Sequence, residues 1–422
     1  MAQIAVIGAG YVGLTTAACF SSLGHEVTCA DIDVDRVAQL NRGEIPIVEA
    51  GLDALVREGM DGGRLTFVIG AEAAARTAEF AYLCVPTPQG DDGSADLSYI
   101  EAAARQIGPV LPSEAVVVNK STVPVGSTRA VERVLGRDDV TVVSNPEFLR
   151  EGSAVHDFLN PDRIVIGSDD QSAAVRVAAL YIGVTAPIIV TDPPSAETIK
   201  YASNAFLATK ISFVNAIAAV CEAVGADVKD VVLGMGYDSR IGHEFLKPGP
   251  GWGGSCFPKD SRALVHIADS AGYSFDLLRG VITVNDDQFQ RVVSKVRQLA
   301  GGSLDGVKVG VWGLTFKART DDTRDSPALR IVSLLAKEGA DVRAYDPAVK
   351  GPVEGVVPAN DPYSVCDGAD VLAVLTEWDE FRWLDFDKVA GLMSQLRVVD
   401  ARNLLDKPAL ERRGFVYTGI GR

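Results

Sequence analysis

The chain has 422 residues, too many for one ordinary hydrophobic core, and at about 150 residues per domain it should divide into two or three. Its 47% hydrophobic and 23% charged content, with 41 glycines, fits a packed α/β protein and excludes a disordered, fibrous or collagen-like chain. A formal net charge of −16 disfavours nucleic-acid backbones and anionic membrane surfaces, so an anionic ligand would need a local cluster of cations.

The first thirty residues read as an apolar strand (IAVIG), a glycine turn, an apolar-periodic helix ending near Gly24 and a second strand (EVTCAD), which is one βαβ unit. Strand candidates follow at AYLCV, AVVVNK, VTVVS and RIVIG with helical patterns between most of them, so the spacing predicts a parallel, doubly wound sheet over residues 1–194. From Ser195 to about Val224 the pattern becomes one long Ala- and Ile-rich helix, of the kind that joins domains. A Gly/Pro-rich loop, KPGPGWGGSC from Lys247, and further helical sequence complete a central region, 195–299. At Gly306 a strand, a loop, a helix from Pro327 to Glu338 and a strand (DVRAYDP) echo the first βαβ unit without its full glycine fingerprint. Residues 300–422 are therefore expected to be a second Rossmann-like domain with a ligand other than the main dinucleotide. No run approaches about 18 uninterrupted apolar residues and no secretory leader is evident, which predicts a cytoplasmic protein without a membrane span.

Gly8, Gly10 and Gly13 form GAGYVG directly after a strand and at the opening of a helix, where backbone N–H groups and the helix dipole hold a pyrophosphate. Asp31 ends the second strand, where a carboxylate accepts from ribose hydroxyls and repels a 2′-phosphate, so NAD is favoured over NADP. A plainer reading makes Asp31 the cap of the next helix, and Arg36 nearby softens the preference by offering a guanidinium to a phosphate.

GWGGSCFPKD is the most informative stretch. Small residues let a ligand approach Cys256, Lys259 would stabilise its thiolate, and Asp260 would orient or deprotonate a group. The other five cysteines sit in apolar surroundings and read as buried hydrophobes, and neither CxxC pairs nor zinc-like His spacings occur, so no metal is expected. A thiol beside NAD⁺ suggests an alcohol taken to a carboxylate in two oxidations, through a thiohemiacetal and a thioester. Lys200 and Asn204, four residues apart, share a face of the long helix, as Glu147 and Glu151 would if NPEFLREG were helical. The lysine would stabilise an alkoxide and Glu147 would act as the base for hydrolytic water, against the alternative of solvated helix pairs. The four histidines occur in no triad-like spacing.

GAGYVG, VPTP, STVPVG, NPEFLREG, KYASNAF, RIGHEFLKPGPGWGGSCFPKD, LTFKARTDDTRDSP and DARN, in that order, closely resemble the UDP-glucose/GDP-mannose dehydrogenase family along essentially the whole chain. The resemblance implies two Rossmann-like domains joined by a long helix and a homodimer or higher homo-oligomer formed through the central region. It implies Cys256 as nucleophile with Asp260 and Lys200 as helpers, Asn204 sharing an oxyanion or water with the lysine, Glu147 as acid or base, and Thr122 near the chemistry. For NAD it adds Tyr11, Val12, Arg36, Thr87, Thr122, Glu151, Lys259 and Arg324 to the glycines and Asp31. For the nucleotide sugar it adds Glu147, Phe148, Leu149, Arg150 and Glu151, then Phe245, Leu246, Lys247, Pro248 and Gly249, with Gly253, Lys317, Arg402 and an Arg240 that reaches the neighbouring subunit's site. Together Arg240, Lys247 and Lys317 are the cations an acidic protein needs for a diphosphate. GGSC points to a sugar without an N-acetyl group and so to UDP-glucose, while Trp252, where many relatives carry Phe or Tyr, leaves dTDP-glucose and GDP-mannose as alternatives. Two rivals stand beside this reading: a one-step secondary-alcohol NAD dehydrogenase that needs no cysteine, and a non-catalytic NAD-binding sensor.

Overall fold

A computed structural model of the chain describes residues 1–90 and 95–422. The chain divides into two compact units, Met1–Ser203 with Arg262–Gly272 and Asn204–Ser261 with Tyr273–Arg422, linked by the long helix Pro193–Val224.

The first unit is built on strands β1 (Gln3–Ile7), β2 (Glu26–Asp31), β3 (Leu65–Ile69), β4 (Phe80–Leu83), β5 (Val116–Asn119), β6 (Thr141–Ser144), β7 (Ile164–Gly167) and β8 (Ile188–Thr191). They form one sheet in the order β3-β2-β1-β4-β5-β6-β7-β8. Alternation along the strands explains two covered faces. Ile4 and Val6 of β1 join the core under the Tyr11–Ser22 helix, whereas Ala5 and Ile7 join the core on the opposite face. β3 and β8, absent from the strands read from sequence, are the two sheet edges, and Ile188, Ile189 and Val190 of β8 stay exposed.

The sheet is parallel, as the spacing predicts, apart from one antiparallel pair where β7 meets β6. These strands touch through the single pair Ser144 and Gly167. The intervening segment does not cross over as a parallel connection must. Instead its short helix Ala154–Leu159 docks Phe158 edge-on against Phe20, ring centroids 5.1 Å apart. Phe20 also packs against His25 (5.9 Å), Tyr82 (5.1 Å) and Tyr181 (5.3 Å).

The second unit carries β9 (Lys308–Trp312), β10 (Asp341–Tyr345), β11 (Val357–Pro358), β12 (Val371–Val374), β13 (Arg397–Asp400) and β14 (Val416–Gly419), a parallel sheet in the order β11-β10-β9-β12-β13-β14. It repeats the β2-β1-β4 arrangement of the first sheet around β9, the basis of the echo in the sequence. The long helix has the length and apolar composition of a membrane span, but Lys200, Asn204, Ser212 and Asn215 are buried on it and hydrogen-bonded to protein groups.

Phe20 is fully buried among four rings, so Phe20→Ala is expected to destabilise the first unit by about 3–5 kcal/mol, read as a lowered melting transition in a thermal scan.

Candidate active site

In the first unit the loops bearing the sequence fingerprints leave the carboxyl ends of β1, β2, β4 and β5, on both sides of the point where strand order reverses, the usual crevice for a dinucleotide. Gly8 has φ +100, and a Cβ there would lie 2.8 Å from the Cys84 carbonyl oxygen. A Cβ on Gly13 would lie 1.8 Å from the Gly8 oxygen, so helix and turn close only without side chains. Gly10, by contrast, faces open space at the start of a helix that has neither a side-chain cap nor an acid in its first turn. Its orphan N–H groups and its partial positive charge suit a pyrophosphate, and this cradle fits NAD.

Asp31 accepts from the Ala9 N–H at 2.7 Å and lies 3.7 Å from Arg36, which ties the glycine turn to the end of β2. It is not the cap of the next helix, because Asp33 accepts from the Asp35 and Arg36 N–H groups. The Thr87 hydroxyl donates to the Thr122 carbonyl at 2.8 Å, bringing VPTP and STVPVG together. Tyr11 donates to Glu49, whose carboxylate also accepts from the backbone of Gly152 (2.7 Å) and Ala154 (2.9 Å). Burial, then the hydrogen bond to Glu49 and the Glu49 charge, push the Tyr11 hydroxyl far above its ordinary pKa, so it stays a donor.

NPEFLREG is not helical, so the idea that Glu147 and Glu151 share a helix face fails. Asn145 and Pro146 carry the chain out of β6 as irregular backbone, and the Glu147 side chain turns back to accept the Leu149 N–H at 2.6 Å. Lys200 donates to both the Glu147 carbonyl (2.7 Å) and its Oε1 (2.9 Å), and both residues are buried. Burial pushes the Glu147 carboxyl up, but Lys200, the Leu149 N–H and Lys120 outweigh it and hold the group below the usual carboxylate range. Phe148 lies under the Arg163 guanidinium, 3.7 Å from the ring centroid, and Arg150 is bound to Asp157 at 2.6 Å.

Sequence reasoning missed Glu197, one turn before Lys200. It is buried and accepts from the Gly126 N–H (2.6 Å), the Thr128 N–H (2.9 Å) and the Thr128 hydroxyl (2.7 Å), so it anchors the end of STVPVG. Burial raises its pKa even so. Its signal was an acid sharing one face with Lys200 and Asn204 on an otherwise apolar helix. Glu49 has no such periodic signal.

In the second unit the glycine loop is gripped by buried polar side chains of two helices. Asn215 accepts from the Gly249 N–H (2.8 Å), Gln288 donates to the Gly249 carbonyl (2.7 Å), and Asn285 brackets Trp252 by accepting from its N–H (2.8 Å) and donating to its carbonyl (3.0 Å). The Trp252 indole is buried and donates to Ser212 at 2.9 Å. A Cβ on Gly253 would lie 2.0 Å from the Asp325 carbonyl oxygen, and the Gly254 N–H donates to the Arg324 carbonyl at 3.1 Å. The LTFKARTDDTRDSP segment is thereby pressed against the loop that leads to Cys256.

Cys256 is partly exposed while the other five cysteines are buried. It immediately precedes the helix Phe257–Ser270, and its carbonyl accepts from the Asp260 N–H at 2.8 Å. Its thiol lies 3.5 Å from the Ser255 hydroxyl. The start of a helix is a favourable place for a thiolate. Asp260 is fully buried, with one oxygen accepting from Asn204 at 2.6 Å and the other 2.8 Å from the Lys259 ammonium.

Arg402 donates to the carbonyls of Leu375 (2.9 Å) and Phe316 (2.8 Å), and its guanidinium lies 3.6 Å from the Cβ position of Gly249. Lys317 stands over the Phe316 ring, and Arg324 is bound to Asp322. Leu246, Pro248 and Gly249 are buried, whereas Lys247 is exposed. Arg240 is drawn into none of these contacts: it is exposed and paired with Asp238 at 2.6 Å. In β10's sheet, Asp346 stands where Asp31 stands in the first. Its carboxylate is occupied by the N–H groups of Leu314, Thr315 and Ala348, the Thr315 hydroxyl and the Trp378 indole, which leaves no place for a ribose.

Removing Asn285 would strand a buried N–H and a buried carbonyl of Trp252. Asn285→Ala is therefore expected to cost about 2 kcal/mol or more and to depress turnover with NAD affinity little changed, as checked by denaturant melts beside steady-state kinetics.

Models of the UDP-glucose/GDP-mannose dehydrogenase family match the chain three times: the NAD binding domain at residues 2–185, the central domain at 194–287 and the UDP binding domain at 310–407. A UDP-glucose 6-dehydrogenase of Rhizobium meliloti is 47% identical over 435 aligned residues, covering 100% of this chain and 99% of the relative. Among solved structures, a UDP-glucose dehydrogenase of Pyrobaculum islandicum superimposes with TM-score 0.90 at 38% identity, covering 100% of this chain and 98% of that one. A UDP-D-ManNAc dehydrogenase of Pyrococcus horikoshii gives 0.90 at 30% identity, with 99% of each chain covered. With all three domain models matched in order along a chain whose geometry groups the same motifs, the protein belongs to the UDP-glucose/GDP-mannose dehydrogenase family, which binds NAD.

Proposed function

We propose that the chain oxidises the C6 alcohol of UDP-glucose to the carboxylate of UDP-glucuronate, through a thiohemiacetal and then a thioester on Cys256. The observation that carries this reading is the succession along one helix of Lys200, engaged with Glu147, and, a turn later, Asn204, engaged with the Asp260 that follows Cys256. Bound NAD⁺ supplies the hydride acceptor for each of the two oxidations.

Lys200 stabilises the alkoxide from which the first hydride leaves, and the Cys256 thiolate then bonds to the aldehyde carbon. Lys200 and Asn204 hold the resulting oxyanion until the second hydride leaves and the thioester forms. Glu147 takes a proton from the water that adds to the thioester carbon, and the C–S bond breaks to return the thiolate and release the acid. Asp260, with both oxygens engaged, orients Asn204 and Lys259. A rival secondary-alcohol oxidation would leave Cys256 and Glu147 without a task.

In this reading residues 1–194 bind NAD, 195–299 carry the catalytic loop, and 300–422 bind the UDP moiety through Lys317 and Arg402. The occupied Asp346 favours a mononucleotide moiety over a dinucleotide in the last of these. We further propose a homodimer or higher homo-oligomer in the cytoplasm, without nucleic-acid or membrane partners. Phe206, Phe213 and Val220, seven residues apart, and Val224 line one exposed face of the long helix, an apolar stripe suited to a second copy. Arg240, exposed on its loop, is then placed to reach the neighbour's substrate.

With limiting UDP-glucose and excess NAD⁺ the protein is expected to form two NADH per sugar, and Cys256→Ser to lose turnover by at least a thousandfold. One NADH per sugar, or an unimpaired variant, would sink the thioester route. No turnover with UDP-glucose, but two NADH with dTDP-glucose or GDP-mannose, would correct the nucleotide sugar alone.

The depressed Glu147 carboxyl sets the sign of the pH dependence. A base with a lowered pKa works above that value and is lost as pH falls through it, so the acidic limb of kcat should lie below the ordinary carboxylate range. Lys200→Met removes the main opponent of burial and is expected to drive any residual limb upward, as read from the pH profile of thioester hydrolysis.

A further inference from the structure

Lys120, the residue after β5, has no task in the mechanism above, yet it is 4% exposed. Its ammonium donates to the Asn145 side-chain Oδ1 and the Tyr181 hydroxyl, both at 3.2 Å, and lies 5.8 Å from the ring centroids of Phe158 and Tyr181. The acceptors are neutral and are fixed in turn, since the Tyr181 hydroxyl donates to Asn145 at 2.6 Å and the Asn145 amide donates to the Val165 carbonyl at 2.8 Å. Lys120 forms no ion pair with any carboxylate among the described residues. A buried cation without an ion-pair partner is costly to keep charged, so it marks a place where its field does something.

That field acts on a small cavity lined by Lys120, Asn145, Glu147, Phe148, Phe158 and Tyr181. The charged and titratable groups facing it narrow the target. Asp157 also lines the cavity but is claimed by Arg150, and Arg163 lies on the Phe148 ring. Cys19 and Cys84 feel the ammonium too, but burial pushes both thiols up to about 12, and burial also holds the Tyr82 hydroxyl well above its ordinary range, so all three stay neutral. Glu147 is left as the acid that is ionised, and Lys120 acts beside Lys200 to keep it so.

We propose that Lys120 is a positioning residue for the hydrolytic base: its buried charge holds Glu147 as a carboxylate while Lys200 is engaged with the oxygen of the reacting carbon. The proposal rests on the thioester reading above. Lys200 alone would have to serve Glu147 and the oxyanion with one charge, and burial would favour protonation of the carboxylate whenever the oxyanion claimed it. A second cation, held by neutral partners, removes that competition.

The test compares wild type with Lys120→Gln, Lys120→Arg and Tyr181→Phe. Lys120→Gln keeps a donor for Asn145 but drops the charge. The acidic limb of its kcat should move up by about one pH unit. Within the former plateau, a rapid burst of two NADH per active site should precede slow steady-state turnover, because the thioester accumulates. Lys120→Arg should restore the limb. Tyr181→Phe cuts the same hydrogen-bond network while sparing the charge and should leave the limb in place. Should Lys120→Gln not fold, Lys120→Met fills the same volume without the charge and reads the same limb. A charge-free variant with an unmoved limb and no burst overturns the proposal, as does a Lys120→Arg limb displaced as far as that of Lys120→Gln. Wild type that fails to give two NADH per sugar overturns the thioester reading itself, a different result from a normal wild type with an indifferent Lys120.

Discussion

The arrangement of the site depends on one demand: ionised and amide side chains are buried on a helix that is otherwise apolar, and each must find a partner. Glu197, Lys200 and Asn204 follow one another at spacings of three and four on the Pro193–Val224 helix, all less than a tenth exposed. An isolated buried charge costs far more than a hydrogen bond returns, so each group recruits a different stretch of chain. Glu197 fastens the STVPVG segment, Lys200 fastens Glu147, and Asn204 fastens Asp260 beside the thiol. The helix thus serves as a ruler. Two loops of the first unit and one of the second each find a partner on it.

The two sheets spend the same architectural position in opposite ways. At the end of the second strand of each unit an aspartate meets the turn after the first strand. Asp31 accepts one N–H from that turn and keeps Arg36 at 3.7 Å, whereas Asp346 is filled by backbone, hydroxyl and indole donors. The same position is lightly engaged in one unit and a structural knot in the other. Duplication of a fold did not duplicate its ligand.

Much of this was legible in the sequence because the informative residues obey short-range rules. The glycine turn follows a strand and precedes a helix, and Lys200 and Asn204 lie one turn apart, so periodicity alone put them on one face. Cys256 stood out as the one cysteine amid small and charged residues. What was not legible depends on partners distant in the chain. Glu49 gains meaning only from Tyr11 and Gly152, and Asn215, Asn285 and Gln288 only from the glycine loop they grip. Glu147 and Glu151 would share a face only if NPEFLREG were helical, but Pro146, the Leu149 N–H captured by Glu147 and the pull of Lys200 give irregular backbone instead. The reversed β7 strand followed from a short connection that docks on Phe20, which no local pattern announces.

The contact between Gly13 and the Gly8 carbonyl has an evolutionary consequence. Because the turn cannot close around a side chain there, Gly13 is required for the first unit to fold whether or not a dinucleotide is ever bound. A descendant that abandoned catalysis would still be selected to keep its glycine fingerprint, while the partly exposed Cys256, which the proposed reaction and not the fold requires, would be free to drift. In a distant relative, the glycines attest to ancestry, and the cysteine with its buried Asn–Asp neighbours attests to trade.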